Sequence, residues 1–137
     1  MNEFQFSSIE YAIDEIKKGN LIIVVDDESR ENEGDLVGAA ELMTPENVNF
    51  MISQAKGLLC APISRKIAEK LEIHLMTENN SDRHGTKFTV SVDASQGTTT
   101  GISAFERSLT LRKLADSKTE SQDFIRPGHI FPLIAED

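Results

Sequence analysis

Two periods of hydrophobic residues divide the chain into predicted helices and strands. Apolar residues of the segment 9–16 follow the i, i+3, i+4, i+7 spacing of an amphipathic helix, and the S-x-x-E sequence beginning at Ser7 is typical of a capping box. The run 21–25 (LIIVV) predicts a buried strand. Thr44 followed by Pro45 predicts the start of a second helix, because the first residue can cap it and the second suits its first turn.

The remaining segments continue this alternation. Residues 58–62 predict another buried strand, and the alternation over 88–92 predicts a strand with one solvent-exposed face. The R-P-G-H sequence at 126–129 predicts a tight turn, and Pro132 places the following strand at a sheet edge, since proline donates no backbone hydrogen bond. The other predicted elements are a short helix over about 64–71, an exposed polar loop over 77–86 and a capped helix over about 103–115. Helices that alternate with strands indicate an α/β or mixed α+β fold.

Composition limits the classes of protein that the chain can represent. Its 137 residues, 39% of them hydrophobic and 27% charged, predict one globular domain over residues 1–137. The net charge of −9 argues against a nucleic acid or an anionic membrane as partner. The start MNEFQFSS has no signal-peptide pattern, the run 21–25 is too short to span a membrane, and Cys60 is the single cysteine. We therefore expect a cytoplasmic protein.

The densest charge in the sequence follows the run 21–25 directly. Residues 26–35 read DDESRENEGD, and their six carboxylates and one arginine carry −5 of the net charge. Two carboxylates about 4 Å apart repel by roughly 4 kcal/mol at an effective dielectric near 20, so such a cluster favours a cation, a proton or full solvation. Carboxylates at the carboxyl end of a strand suit Mg²⁺ or Mn²⁺ and predict a metal site. An EF-hand is excluded because Arg30 and Glu31 stand where its third ligand and its glycine belong.

Two other interpretations of the acidic segment stay open. One is a solvated acidic turn, although the lone guanidinium of Arg30 inside the cluster favours a binding role. The other is the receiver domain of a response regulator, because LIIVVDDE resembles its first strand and acidic pocket. A receiver needs a helix directly after the acids and a phosphoacceptor aspartate about one βαβ unit later. Here the acids continue to Asp35, and the strand predicted at 58–62 contains no aspartate.

Further candidates for chemistry lie outside the acidic segment. His129, between a rigid proline-glycine pair and a predicted strand, can be a general acid or base or a plain surface histidine. The G-T-T-T-G sequence at 97–101 offers hydroxyls and N–H groups for an oxyanion, or is an ordinary strand-to-helix connection. His74 and His84 are predicted to be structural or exposed, and Cys60 to be a small buried hydrophobe.

Four motifs then occur in order along nearly the whole chain. They are D-D-E-x-R-E-N-E-G-D from Asp26, G-T-x-F-T-V-S-V-D-A from Gly85, T-T-G-I-S-A from Thr99 and D-F-x-R-P-G-H-I-F-P-L from Asp123. Together they resemble the 3,4-dihydroxy-2-butanone 4-phosphate synthase family of riboflavin biosynthesis. The resemblance implies a lyase that uses Mg²⁺ or Mn²⁺ to convert ribulose 5-phosphate into the butanone phosphate and formate. It also implies a three-layer fold, with a mixed twisted sheet between helices, and a homodimer with sites near its interface.

The same resemblance implies roles for individual residues. Glu31 matches a metal ligand that also contacts the substrate, and Arg30, Asp35 and Cys60 match positions at the substrate. His129 matches a position needed for activity, and Asp26 and Glu33 belong to the same catalytic acidic site. Removing a proton beside a carbonyl, expelling a hydroxyl and shifting a carbon together require a base, an acid and a Lewis acid.

The chain departs from the family pattern in two places. Glu106 stands where the family commonly has aspartate. The family pattern continues past F-P-L into G-G-V-L-x-R-x-G-H-T-E, which contains a second metal-ligand histidine and substrate-binding groups, and the sequence to Asp137 does not include it. We therefore expect a fold without the family's C-terminal elements, weak or no activity, and exposed apolar surface. A non-catalytic or regulatory partner of a complete synthase is the alternative function.

Overall fold

Helices and strands alternate through residues 5–136, the part of the chain that this computed structural model describes. Residues 1–4 and 137, which the predicted domain includes, lie outside the described residues. The helices are α1 (Ile9–Lys17), α2 (Pro45–Phe50), α3 (Arg65–Lys70) and α4 (Ala104–Ala115), and a π-helical turn, Met51–Ala55, extends α2. The strands are β1 (Ile22–Val25), β2 (Gly34–Val37), β3 (Cys60–Ser64), β4 (Val92–Ala94) and β5 (Phe124–Ala135). Two 3-10 turns lie at Ala40–Leu42 and Ser121–Asp123.

Side-chain caps begin the helices, as the sequence predicts. Ser8 Oγ accepts the backbone N–H three residues further on at 3.2 Å, so Ser8 caps α1 and the prediction of Ser7 is one residue early. Thr44 caps α2 in the same way at 3.1 Å. Ser103 and Glu106 form the predicted capping box at the start of α4. These starts are predictable because each depends on residues within one helical turn.

The strands form two sheets. β1 and β2 are an antiparallel hairpin in which Val25 pairs with Gly34, so the acidic segment connects the two strands. The second sheet has the order β3-β5-β4, with β3 parallel and β4 antiparallel to β5. The predicted mixed α+β class, with a mixed sheet and flanking helices, is confirmed.

β5 is the central strand of its sheet, so the prediction of an edge strand is wrong. Pro132 is buried and lies between the β4 ladder, which ends at Ile130, and an isolated bridge that joins Phe88 to Leu133. Its carbonyl accepts the backbone N–H of Thr89 at 3.0 Å. The missing N–H of proline therefore falls where the antiparallel ladder is already interrupted.

The R-P-G-H segment forms a bulge inside β5, and the prediction of a turn before the strand is wrong. Val92 pairs with Ile130, whereas the next residue, Asp93, pairs with Ile125. The four residues between those partners, 126–129, therefore have no counterpart on β4. Such a bulge changes the direction in which its side chains point.

Both faces are covered around residues 88–92, where one solvent-exposed face was predicted. Thr89 is fully buried and Ser91 nearly so, and both bond to β5: Thr89 to Pro132 and Ser91 to Gly128. Thr89 Oγ1 donates to the carbonyl of Pro132 at 3.0 Å, which satisfies its buried hydroxyl. Regular strand geometry begins only at Val92, the first residue of β4.

The predicted burial of β1 is also wrong. Its side chains are mostly exposed, and Ile23 has 71% of its surface in solvent. α1 packs beside β1 and has no buried residue, so the helix stripe of Ile9 and Ile13 is exposed as well. We call the exposed apolar residues of α1 and β1 the α1/β1 surface. Exposed apolar surface of this kind marks an interaction site or an aggregation risk, as the sequence analysis expected.

The buried core lies between α2, α3, α4 and the three-stranded sheet. It contains Met43, Val48, Leu59, Ala61, Ile63, Ala68, Leu71, Ile73, Val92, Leu111, Leu114, Phe124, Ile130 and Ile134. Within residues 5–136, no helix is long and apolar enough to cross a membrane.

Replacing Gly128 by alanine should destabilise the fold, because the new methyl group would overlap the backbone carbon of Val92. We expect the free energy of unfolding to fall by about 1–3 kcal/mol, or folding to fail. Urea unfolding followed by circular dichroism measures this change. Gly57→Ala is the matched control, since no atom lies within 4 Å of a methyl group there. Equal stability of the two variants would contradict the close approach of β4 and β5.

Candidate functional site

Asp26 organises the acidic loop between β1 and β2. Its Oδ2 accepts the backbone N–H of Glu31 at 3.0 Å, and its Oδ1 accepts that of Glu33 at 2.9 Å. Arg30 Nε lies 2.8 Å from Oδ2. These bonds and the Arg30 charge hold the pKa of Asp26 below its usual range, the bond to Glu33 having the largest effect. Asp26 therefore stays ionised and shapes the backbone on which its neighbours stand.

Arg30 and Glu31 stand side by side in this loop. Arg30 Nη2 lies 3.2 Å from Glu31 Oε2, and its side chain is 59% exposed. An exposed guanidinium and a partly exposed carboxylate that share one loop can bind oxyanions and cations respectively. The loop residues Asp27, Glu28 and Glu33 are exposed, so part of the segment is the solvated turn that charge runs commonly form.

His84 is a neighbour of this loop that the sequence analysis missed. Its Nδ1 lies 3.8 Å from Glu31 Oε1. Asp82 holds the histidine's loop by accepting the backbone N–H groups of His84 and Thr86, at 3.0 and 2.9 Å. The polar segment 77–86 therefore reaches the acidic loop, and no local sequence signal indicates this contact.

Asp35, at the end of the acidic segment, lies near Cys60 of the three-stranded sheet. Burial raises the pKa of the Cys60 thiol, and the charge of Asp35 raises it further. Cys60 is therefore a neutral thiol at neutral pH and a poor nucleophile. It pairs with Phe131 of β5, two residues beyond His129. Cys60 and the His129 segment thus lie on the neighbouring strands β3 and β5, and Asp35, on β2 of the separate hairpin, is close enough for its charge to act on the Cys60 thiol.

His129 is held by a residue that the sequence analysis did not name as part of a site. Asp93 Oδ2 lies 2.8 Å from His129 Nδ1, and Asp93 Oδ1 accepts the backbone N–H of His129 at 2.8 Å. Asp93 is buried, with 6% of its surface exposed, whereas the His129 side chain is 38% exposed. A partly exposed imidazole beside a buried carboxylate can act as a general base or acid.

The T-T-G-I-S segment is ordered by Glu106 at the start of α4. The Glu106 carboxylate accepts hydrogen bonds from the backbone N–H and the hydroxyl of Thr99, and from those of Ser103. The Thr99 donors that the sequence suggested for an oxyanion are thus already bonded to a carboxylate within the chain, and the Thr98 hydroxyl donates to the carbonyl of Ala94. The bonds to the carboxylate lower the pKa of Glu106 to about 2, those from Thr99 having the largest effect.

Glu31 is the candidate metal ligand among the described residues. Among residues 5–136, no three or more His, Cys, Asp or Glu side chains are grouped so as to hold a metal ion. Mg²⁺ commonly takes one or two protein carboxylates and completes its shell with water and substrate oxygens. The hard carboxylate oxygens of Glu31, on an ordered loop beside Arg30, fit one side of such a shell.

Sequence comparison connects these features to known proteins. The sequence profile of the 3,4-dihydroxy-2-butanone 4-phosphate synthase family matches residues 10–137. The riboflavin biosynthesis protein RibBA of Bacillus subtilis (strain 168) is 58% identical over 131 residues, which are 96% of this chain and 33% of that protein. RibBA of Staphylococcus saprophyticus is 59% identical over 133 residues, or 97% of this chain and 34% of that protein. The chain spans about a third of the length of these relatives.

Structural comparison gives the same result. A crystal structure of 3,4-dihydroxy-2-butanone 4-phosphate synthase in complex with two magnesium ions has a TM-score of 0.93 and 45% identity, and covers 96% of this chain and 61% of that chain. RibBX, a two-domain synthase of the same name from A. baumannii, has a TM-score of 0.89 and 42% identity over 95% of this chain and 38% of its own. The receiver interpretation is wrong, since the acids lead into β2 rather than a helix. The comparisons do not favour the non-catalytic partner either.

The bonds of Glu106 should make its contribution to stability depend on pH. A carboxyl group whose pKa is lower in the folded state stabilises the fold above its ordinary pKa of 4.5, and this stabilisation is lost as the pH falls toward 2. The melting temperature of wild type should therefore exceed that of Glu106→Gln at neutral pH, and the difference should shrink below about pH 4.5.

Thermal melts of both proteins between pH 7 and about pH 2 measure this difference. Glu69→Gln, on the exposed face of α3, is the control and should give a small difference that does not follow this profile. A gap between wild type and Glu106→Gln that stays constant with pH would show that the charge of Glu106 does not hold the loop.

Proposed function

The chain belongs to the 3,4-dihydroxy-2-butanone 4-phosphate synthase family, and we propose that it acts on ribulose 5-phosphate in riboflavin biosynthesis, as a lyase that releases formate and the butanone phosphate. The two products together contain all the atoms of ribulose 5-phosphate, so the reaction needs no oxidant or reductant. The observation that carries the proposal is the ordered acidic loop, in which Asp26 fixes the backbone of Glu31 beside Arg30.

We assign the substrate contacts by charge and position. The exposed guanidinium of Arg30 suits the phosphate or the oxygens of the sugar, because it can form paired hydrogen bonds to them. Asp35 ends the acidic segment near Cys60, and Cys60 pairs with β5, so both would face a substrate that is bound between the acidic loop and β5. The neutral thiol of Cys60 contributes shape and a weak hydrogen bond rather than a nucleophile.

The proton transfers are assigned to His129 and the acidic loop. His129 would remove the proton from the carbon beside the carbonyl, since its partly exposed imidazole is bonded to Asp93 on one side only. Glu33, exposed in the loop, would exchange protons with the departing hydroxyl. Asp26, whose carboxylate is bonded to two backbone N–H groups and to Arg30, would act by keeping the loop in place.

We propose Mg²⁺ or Mn²⁺ as the cofactor, with Glu31 as the ligand supplied by the described residues. When bound, the ion supplies a Lewis acid that stabilises negative charge on the substrate oxygens. The support is the oxygen chemistry of Glu31 and the relative that is described with two magnesium ions. Manganese is proposed from the family resemblance.

We also propose where the protein is located, what it does not bind and how it assembles. We infer a cytoplasmic protein that binds neither nucleic acid nor membrane, on the basis of its net charge of −9 and its single cysteine. We infer a homodimer from the family resemblance, and the α1/β1 surface supports it, because neighbouring exposed apolar residues often mark a protein–protein interaction site.

Incubation with ribulose 5-phosphate and Mg²⁺ should release formate. We expect a rate well below ordinary enzyme turnover, since the described residues supply one metal ligand, and a further loss of at least about tenfold in Glu31→Gln or after chelation. Formate can be measured with a coupled formate dehydrogenase assay.

Glu28→Gln is the matched control, because this exposed glutamate lies in the same loop and has no proposed contact with the metal. Its rate should equal that of wild type. Calorimetric titration with ribulose 5-phosphate in the presence of Mg²⁺ should show binding that Arg30→Ala weakens. A chain that neither binds the sugar phosphate nor releases formate would contradict the proposed function.

Sedimentation velocity should show a dimer that depends on the α1/β1 surface. Ile23→Lys places a charge on this surface and should shift the protein toward monomer, because burying an unpaired ammonium group is unfavourable. Leu58→Lys places the same charge on an exposed leucine outside the α1/β1 surface, just before β3, and should leave the dimer intact. A wild-type monomer, or equal effects of the two variants, would contradict this interface.

A further inference from the structure

Asp93 makes two different bonds to the same histidine. The bond from the backbone N–H of His129 to Oδ1, at 2.8 Å, fixes where the bulged segment lies. The bond between Nδ1 and Oδ2, also 2.8 Å, fixes the imidazole ring. Because an ionised carboxylate only accepts hydrogen bonds, the second bond requires a hydrogen on Nδ1. In the neutral ring, Nε2 then carries the lone pair.

The bulge in β5 is what allows this double contact. Asp93 pairs with Ile125, while the segment 126–129 leaves the β4 ladder. Gly128 donates its backbone N–H to Ser91 Oγ at 3.0 Å, and a methyl group at Gly128 would overlap the backbone of Val92. Gly128 therefore lies directly against β4. As a result, the backbone N–H and the ring of His129 both reach the Asp93 carboxylate on that strand.

The loop before α4 covers the Asp93 carboxylate from the other side. A methyl group at Gly101 would overlap both carboxylate oxygens, and the φ of +86° at this residue suits glycine. Ala94, the next residue of β4, donates its backbone N–H to Thr110 Oγ1 of α4 at 2.9 Å. Arg107 of the same helix is close enough for the charge of Asp93 to oppose the lowering of the Arg107 pKa by burial. The carboxylate is therefore shielded from water beside one cation and one imidazole.

We propose that Asp93 is the positioning residue of His129, which holds the neutral imidazole with its hydrogen on Nδ1 and presents Nε2 as the base that takes the substrate proton. The proposal rests on the proposed function for the identity of the proton donor. Asp93 itself does not touch the substrate, because it is buried under the loop and behind the imidazole. The G-T-T-T-G segment then serves as the cover of this pair, with Glu106 holding the cover in place.

The opposing explanation is that Asp93 only fixes the backbone of the bulge. That role would need the bond to the backbone N–H of His129 and would leave the ring free to carry its hydrogen on either nitrogen. The tautomer of His129 therefore separates the two explanations. It can be measured without substrate, so its outcome is independent of whether ribulose 5-phosphate is the true substrate.

Long-range proton–nitrogen NMR spectra of the ¹⁵N-labelled chain report which ring nitrogen carries the hydrogen. His129 is assigned by the signal that disappears in His129→Gln, which separates it from His74 and His84. At a pH where the ring is neutral, we expect the hydrogen on Nδ1 in wild type. Asp93→Asn should shift the population toward the Nε2 hydrogen, because the amide of asparagine can donate to Nδ1. Asp116→Asn, at the end of α4, is the control and should leave the tautomer unchanged.

A hydrogen on Nε2 in wild type, or an unchanged tautomer in a folded Asp93→Asn, would overturn the proposal. If Asp93→Asn does not fold, the wild-type spectrum decides alone. In the formate assay, Asp93→Asn should lower kcat by about 10²–10⁴-fold with little change in KM, and should have little further effect in the His129→Gln background. Losses that add in the double variant would also overturn it, whereas a failed formate assay with the predicted tautomer would count against the substrate alone.

Discussion

The pairing of β5 on both of its sides is the interaction on which the remaining structure depends. β3 binds it in parallel and β4 in antiparallel orientation, and the core residues of both neighbours pack against the helices only because β5 holds them in one sheet. The same strand contains the bulge that brings His129 to Asp93. The sheet and the candidate base therefore share one element, and a change that loosens the sheet also moves the imidazole.

Much of the local structure could be predicted from the sequence, because it depends on neighbouring residues. The caps at Thr44 and Ser103, the polar loop over 77–86 and the strand before the acidic segment need no information from distant parts of the chain. The predictions were wrong where the structure depends on residues that are distant in the sequence. Pro132 suggests an edge when it is taken alone, but in the fold it lies where the ladder is interrupted. The apolar run 21–25 predicts a strand, yet its burial depends on what covers it.

The residues of the candidate site also fall into those that local sequence indicates and those that only the fold brings together. The acidic loop was recognisable because Arg30 and Glu31 lie together in one charged segment, and Asp26 bonds to residues only five and seven positions away. Asp93 was missed because it occupies a polar position in a strand and meets His129 only across the sheet, 36 residues further along. His84 was missed for the same reason, since its neighbour Glu31 lies on a different loop.

The position of β5 in the chain has a consequence for folding. It is the last strand among the described residues to leave the ribosome, yet both β3 and β4 depend on it for pairing. The parallel contact with β3 closes a loop of about 70 residues. This contact is slow to form, because the chain loses the entropy of loop closure before the strands gain their hydrogen bonds. Until β5 has paired, the three-stranded sheet is not formed, so the apolar faces of the helices remain exposed and can bind chaperones or one another.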